Sequence, residues 1–379
     1  MRHHQYNPNF DFVKKPVEFN KYTDREFLQY CLGATLYTPG TKDIRKEITN
    51  DKLTGLTSLV LCCEDAISEE DLPEAEKNII NFLEFIANRV DSGALNEERL
   101  PLFFIRVRNV DQFKNFSKKL GYNHKELLTG FNFPKFNTDN GYQYLRHLEI
   151  LNEKIDGILY GMPILEGKKI AYKETRTHEL SGIKNLLKPL KKLILNIRVG
   201  ATDLSSIFGV RRGIDYTVYD IMTVRDCLSD IINYLNRDEE DYILSGPVWE
   251  YFLVNKDTNY DKLRENDFQT SLLRRESLVN KAIDGLLREV ILDKANGFVG
   301  KTIIHPSHIK YVNGMQAVIK EKYEDAKQIL EKSGGVIKSS SGNKMNEINP
   351  HRSWAKKIHY RAKAYGVIES KEDYIKLFS

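Results

Sequence analysis

Five short apolar runs that each end in a charged or titratable side chain constrain this chain more than any other feature. They are Leu59-Val-Leu-Cys-Cys-Glu64-Asp65, Leu102-Phe-Phe-Ile-Arg106-Val-Arg108, Gly161-Met-Pro-Ile-Leu-Glu166, Leu193-Ile-Leu-Asn-Ile-Arg-Val-Gly-Ala-Thr-Asp203 and Lys301-Thr-Ile-Ile-His305. Apolar runs of this length, often β-branched, read as strands buried on both faces, which is the condition of a parallel sheet. Charges repeated at the carboxyl ends of such strands read as one site assembled from several strands.

At 379 residues, 41% hydrophobic and 29% charged, the chain can bury a large core and fits a globular class. No apolar run approaches the roughly 20 residues that span a bilayer. The opening segment Met1-Arg-His-His-Gln-Tyr-Asn-Pro-Asn lacks the apolar centre of a signal peptide, so a cytoplasmic location with no membrane partner is expected. The four cysteines, Cys31, Cys62, Cys63 and Cys227, form no C-x-x-C pair and read as ordinary buried residues. With 57 basic against 53 acidic residues the net charge is only +4, and the lysines are interleaved with apolar and acidic residues as on solvated helix faces. No nucleic-acid partner is indicated.

Strands are expected at Leu32–Gly40, Leu56–Cys63, Leu102–Val107, Leu127–Lys135, Ile158–Leu165, Leu193–Val199, Tyr242–Trp249 and Thr302–Ile304. Helical spacing appears between them, including Asp111–Leu120, Tyr142–Asn152, His178–Lys192, Thr223–Leu235 and one long amphipathic stretch, Ser271–Leu292. Strands alternating with helices predict an α/β protein, a TIM (β/α)8 barrel, with a doubly wound open sheet as the competitor. The expected organisation is an irregular arm over 1–30, a catalytic barrel over 31–332, and a hinge with a helical extension over 333–379 that caps its own barrel or a neighbour's. Ser333-Gly-Gly and Ser339-Ser-Ser-Gly-Asn punctuate the hinge.

Among the strand-terminal groups, Glu166 and Asp203 form the leading pair. Two carboxylates from successive strand ends can hold a hard divalent cation such as Mg²⁺, which retains several waters; the alternative for Asp203 is to cap a helical turn. Arg106 and Arg108 fall on one side of the third strand by its two-residue period, and a guanidinium there suits a substrate carboxylate or a developing enolate. Glu64 and Asp65 would support a metal-bound water or an arginine. Lys135 is a further candidate substrate contact, without the signs of a depressed pKa that a Schiff base needs. Arg211 and Arg212, in Gly209-Val-Arg-Arg-Gly, could grip a phosphate or a second carboxylate, or simply be exposed.

Gly297-Phe-Val-Gly-Lys-Thr302 looks like the end of a phosphate-binding loop, but Ala295 stands where its first glycine belongs and Ile303-Ile-His-Pro306 is strand-like rather than helical. Lys301, His305 and His308 are expected to orient the last strand. His3 and His4 fall in an arm expected to be mobile, and no histidine spacing suggests zinc.

Taken together, Leu61-Cys-Cys-Glu-Asp-Ala-Ile, Ile105-Arg-Val-Arg-Asn, Asn132-Phe-Pro-Lys, Met162-Pro-Ile-Leu-Glu, Gly200-Ala-Thr-Asp-Leu and Gly297-Phe-Val-Gly-Lys-Thr-Ile-Ile-His-Pro-Ser-His resemble the citrate lyase beta subunit and HpcH/HpaI aldolase superfamily. The resemblance runs from Leu32 to Gly366 and is nearest to the carbon–carbon bond lyase branch associated with bacterial tellurium-resistance operons. It implies a barrel binding Mg²⁺ through Glu166 and Asp203, with Arg106 on the substrate and Glu64 and Asp65 in the outer shell of the metal. The implied chemistry makes or breaks a carbon–carbon bond beside a carbonyl, on a small oxoacid, hydroxyacid or acyl thioester; coenzyme A has no recognisable reader here. The segment around Glu347 resembles one in which an acid reaches the neighbouring subunit's active site, which implies a homo-oligomer; an extra residue before Pro350-His351 departs from that pattern. The same site could run as a condensing enzyme, or the barrel could serve as a non-catalytic partner-binding subunit of a biosynthetic or stress-response system.

Overall fold

The structure, a computed structural model, describes the whole chain except residues 51, 238–241, 253–259, 261, 263–266, 340, 341, 343 and 379. Residues 340, 341 and 343 of the expected hinge therefore lie outside the described residues. Eight strands form one parallel sheet: β1 (Ala34–Pro39), β2 (Ser58–Cys62), β3 (Leu102–Arg106), β4 (Leu128–Phe133), β5 (Tyr160–Leu165), β6 (Ile197–Val199), β7 (Leu244–Ser245) and β8 (Lys301–Ile303). Their order is β7-β6-β5-β4-β3-β2-β1-β8. Gly246 bridges to Lys301, with Thr302 N donating to Gly246 O at 3.0 Å, and this contact closes the sheet into a barrel. The open doubly wound alternative is thereby excluded.

Alternation along each strand sorts side chains between two cores. Leu59, Leu61, Phe103, Ile105, Ile197 and Val199 pack outward against the surrounding helices. Val60, Leu102, Phe104, Tyr160 and Met162 fill the barrel interior. At Gly130 a Cβ would stand 1.9 Å from Tyr160 O, so β4 and β5 approach as closely as they do only because that side chain is missing.

The interior cluster continues downward into Phe19, Phe27, Leu28 and Tyr30 of the amino-terminal arm and Tyr365 of the carboxyl-terminal helix. The arm is thus a plug rather than a mobile tail. His3 Nε2 donates to Cys31 O at 3.0 Å while its ring stacks on Tyr365 at 4.2 Å, and His4 Nε2 donates to Tyr365 O at 2.9 Å. The expectation of mobility fails because the barrel's amino-terminal mouth is apolar and needs a cover, which the arm's aromatic residues supply.

The long helix expected over Ser271–Leu292 is two, Phe268–Leu273 and Lys281–Ala295, separated where Arg275 takes a φ of +63° and Asn280 caps the second helix through Ile283 N at 3.0 Å. After β8 the chain forms the helices Ile309–Gln316, Lys320–Glu331 and Ile348–Tyr365, and Val367–Ile368 pairs in parallel with Val318–Ile319. The extension is fastened to its own barrel: Lys357 contacts Asn236, and Tyr365 Oη donates to Tyr30 O at 2.8 Å. Among the described residues no helix is long and apolar enough to cross a membrane.

Candidate active site

A cavity of about 620 Å³ opens at the carboxyl ends of the strands, lined among others by Tyr37, Arg106, Glu166, Arg198, Asp203 and Thr302. This is the barrel face where loops leave the strands and where groups from different strands can meet. Arg106 ends β3 on the interior side, continuing from Phe104. Glu166 follows β5 directly, and Asp203 lies in the first turn of the helix Ala201–Ile207, which begins immediately after β6 and Gly200.

Arg106 is the hub. Its Nη2 lies 2.6 Å from Glu64 Oε2, 2.9 Å from Asp65 Oδ2 and 3.1 Å from Glu166 Oε1. Lys135 completes the cluster from β4: its Nζ contacts Glu64, stands 3.2 Å from Asp65 Oδ1 and 3.8 Å from Asp203 Oδ1, and its backbone N donates to Glu166 Oε1 at 2.9 Å. To present both groups Lys135 adopts a φ of +49°, a left-handed conformation that costs a non-glycine residue about 1 kcal/mol or more. Gly200 leaves the space Glu166 occupies, since a Cβ there would stand 2.0 Å from Glu166 Oε2.

The electrostatics are unbalanced in one direction. Glu64, Asp65, Glu166 and Asp203 carry four formal negative charges against two positive ones on Arg106 and Lys135. Burial pushes the Glu166 carboxyl up to about 8 despite Arg106, with repulsion from Asp203 adding to the rise. Burial followed by repulsion from Asp65 raises Asp203, and burial raises Glu64 against the pull of Arg106. For Asp65 burial works the same way, but Arg106 and Lys135 win and hold it below its usual range. Burial opposes the charge on Lys135, yet Glu64 and Asp65 hold that ammonium above its ordinary value.

Glu166 and Asp203 act on one another directly: the charge on Asp203 pushes Glu166 up, while a hydrogen bond from Glu166 works against the rise of Asp203. No group of three or more His, Cys, Asp or Glu in ligating arrangement occurs among the described residues, so a metal here would have two protein carboxylates and keep open positions. That donor set suits a hard, water-retaining divalent cation and not a tetrahedral zinc.

The other sequence candidates lie elsewhere. Arg108 does not continue the interior face, because β3 ends at Arg106; its guanidinium bonds the carbonyls of Cys63 at 3.1 Å, Ile67 at 2.5 Å and Ser68 at 3.1 Å and so clamps the loop that carries Glu64 and Asp65. Arg212 is buried against Glu289 and Glu250, both at 2.5 Å, and stacks on Trp249. Arg211 is exposed beside an adjoining cleft that shares Thr202, Ser206 and Glu250 with the cavity. Lys301 is fully buried between Glu289 and Asp293, both at 2.8 Å, and opens a strand rather than a helix, which leaves no phosphate loop. Glu347 stands exposed at the start of the helix Ile348–Tyr365 and does not line its own chain's cavity. Sequence reasoning passed over Tyr37, Arg198 and Thr302, whose only signal was a polar residue inside an apolar strand.

The chain is similar to several solved structures. Protein CitE from Mycobacterium tuberculosis, in complex with magnesium, acetoacetate and coenzyme A, is 17% identical with a TM-score of 0.53 over 88% of this chain and 99% of its own. The M. tuberculosis citrate lyase beta subunit complexed with oxaloacetate and magnesium is 17% identical, with a TM-score of 0.45 over 75% of this chain and 96% of its own. RipC from Yersinia pestis is 15% identical, with a TM-score of 0.46 over 76% and 95% of the two chains. At these identities the likeness to CitE shows a shared fold, and the two weaker ones add nothing to it. No curated protein sequence matches the chain. Residues 26–367 match a family profile, and on that span the chain belongs to the family of carbon–carbon bond lyases of the TIM-barrel fold.

Proposed function

We propose that this chain is a Mg²⁺-dependent carbon–carbon bond lyase acting on a small oxoacid, hydroxyacid or acyl thioester. The observation that carries the reading is the surplus of carboxyl groups over cations around Arg106 and Lys135, with Glu64 and Glu166 buried and Asp203 half-buried beside a cavity of small-molecule size. Glu166 and Asp203 would hold the metal. When bound, it supplies positive charge beside a carbonyl oxygen where negative charge develops as the carbon–carbon bond breaks. Arg106 presents a guanidinium to the same region, and its three carboxylate contacts fix that plane in advance, so little reorganisation is needed during reaction. Lys135 stays protonated at neutral pH, because the carboxylates around it favour its charge. It therefore serves as a positioning cation for Glu64, Asp65 and Asp203, and not as an amine nucleophile.

The magnesium in the CitE complex supports the choice of metal, as does membership of the lyase family. The finer placement, in the branch associated with tellurium-resistance operons, belongs to the same reading and rests on the order of the six sequence stretches. So does a homo-oligomer in which Glu347, exposed on its own subunit, serves a neighbouring cavity; mixing a Glu347→Ala chain with a Glu166→Ala chain should then restore activity that neither has alone.

Calorimetric titration of the purified protein with Mg²⁺ tests the core of the proposal. Binding that disappears in the Glu166→Ala/Asp203→Ala variant, together with cleavage of a member of an oxoacid and acyl-thioester panel, is the expected result. A titration unchanged by the double substitution would remove the metal site.

A further inference from the structure

Arg198 is the middle residue of β6 and the interior counterpart of Ile197 and Val199. Its side chain crosses the barrel, where Nη2 donates to Thr302 Oγ1 at 2.6 Å on β8 and Nη1 to Thr35 Oγ1 at 3.3 Å on β1. The guanidinium carbon lies 5.5 Å from the centre of the Tyr37 ring. The residue is 1% exposed and lines the cavity; its Nε has no hydrogen-bond partner, a feature it shares with Arg106, Arg212 and Arg361. Among the described residues no carboxylate lies within ion-pair distance of it.

That environment sets Arg198 apart from the other buried arginines. Arg106 and Arg212 are matched by carboxylates, Arg176 by Asp230, and Arg288 and Arg361 by backbone carbonyl oxygens. Arg198 alone of these meets only neutral hydroxyls and an aromatic face while bordering open space. Moving an ion out of water costs several kcal/mol unless it is paired, so a group of this kind is retained where something else supplies the counter-charge.

Ile164 of β5 pairs with Arg198 in register, so Arg198 enters the interior two residues below Glu166. At about 3.3 Å per residue this is a step of roughly 7 Å along the strand, or about 5 Å along the axis of a barrel whose strands tilt. One cation with two hydroxyls beside it, enclosed within a barrel, neutralises one charge rather than two. We infer that Arg198, held from behind by Thr35 and joined at the cavity wall by Thr302, is an anion subsite for a second carboxylate of the substrate, and that the substrate is a small dicarboxylic oxo- or hydroxyacid unit which spans from the metal end of the cavity to this floor.

The inference rests on the proposed lyase reading for what happens at the other end, but its binding test does not. In calorimetry with Mg²⁺ present, 2-oxoglutarate should bind at least tenfold more tightly than 2-oxobutyrate, and Arg198→Met should erase that preference while leaving Mg²⁺ affinity within twofold. Without metal, glutarate should bind the unmodified protein more tightly than butyrate, again through Arg198, and inorganic phosphate should compete poorly. The ligand-free Arg198→Met protein should melt no lower than the original, because an unpaired buried charge has been removed; Arg198→Lys should retain part of the dicarboxylate preference. Equal binding of the matched acids, a preference that survives in Arg198→Met, or phosphate competing as well as glutarate would overturn the assignment. A lower melting temperature with no change in preference would make Arg198 a structural tie instead. Loss of Mg²⁺ binding in the unmodified protein with the glutarate preference intact would refute the lyase reading and leave the subsite standing.

Discussion

Gly200→Ala tests whether the cluster depends on space left for Glu166. The added Cβ would lie 2.0 Å from Glu166 Oε2, 2.7 Å from its Cβ and 2.9 Å from its Cδ, all well inside contact distance. Gly200 has φ −94° and ψ 79°, so alanine meets no backbone prohibition and even gains about 0.4–1 kcal/mol from a stiffer unfolded chain. Against this stand overpacking of about 1–3 kcal/mol and the loss of at least one charge-assisted hydrogen bond to Glu166, about 1.5–3 kcal/mol. Glu166 is 3% exposed and held by Arg106 and Lys135 N, so it has no free rotamer to absorb the clash at no cost. The balance is a destabilisation of roughly 2–5 kcal/mol, or on the order of 3–8 °C in melting temperature for a chain of this size. Affinity for Mg²⁺ should fall at least tenfold, because Glu166 is displaced from Asp203. Gly167→Ala is the matched control: it adjoins the same carboxylate in sequence, has φ −85°, and its Cβ would meet nothing within 4 Å, so its cost should stay below about 1 kcal/mol. Thermal melts in EDTA and calorimetric Mg²⁺ titrations of the three proteins decide the matter. A Gly200→Ala protein with the original melting temperature and Mg²⁺ affinity would refute the packing argument.

Three further outcomes follow from the same geometry. Glu166 is pushed up to about 8 by burial, so the fold holds a proton that the unfolded chain releases near pH 4.3, and metal-free stability should fall as pH rises toward 8; melts in EDTA between pH 6 and 8.5 should show the decline, with Mg²⁺ restoring more at the upper end. Arg106→Ala leaves Glu64, Asp65 and Glu166 without their shared cation and should cost about 3–5 kcal/mol at neutral pH, whereas Arg106→Lys should keep most of that stability and lose the planar contact a reacting oxygen requires; denaturant unfolding of the two variants, with turnover of the second, separates charge from geometry. Burial lowers His4 to about 4, so its neutral form contributes stability that is present above pH 6.5 and is lost as pH falls toward 4, worth up to about 3 kcal/mol; hydrogen exchange should show the arm opening across that window in the original protein and less steeply in His4→Phe, where buried His3 still resists its proton.

How far this site can be read from sequence depends on what each strand's alternation means in a closed barrel. Seven of the eight strands fall inside the expected stretches and the eighth, Lys301–Ile303, starts one residue ahead of its own, because a barrel strand is covered on both faces and shows little alternation. Glu64, Arg106, Lys135, Glu166 and Asp203 were legible as charges that break such runs at the carboxyl end. Arg108 misled because a two-residue period holds only while the strand lasts, and β3 ends at Arg106. Arg212 misled because nothing local announced that Glu289, 77 residues later, would bury it. Arg198 was passed over for the opposite reason: Ile197-Arg198-Val199 looks like an ordinary half-exposed strand, apolar inward and charged outward. In this barrel the outward side is itself packed by helices, so the polar residue is the one that faces in. A lone charge between two outward apolar residues of a barrel strand therefore points at the cavity, and when no carboxylate accompanies it, the missing counter-ion has to be sought in what the cavity binds.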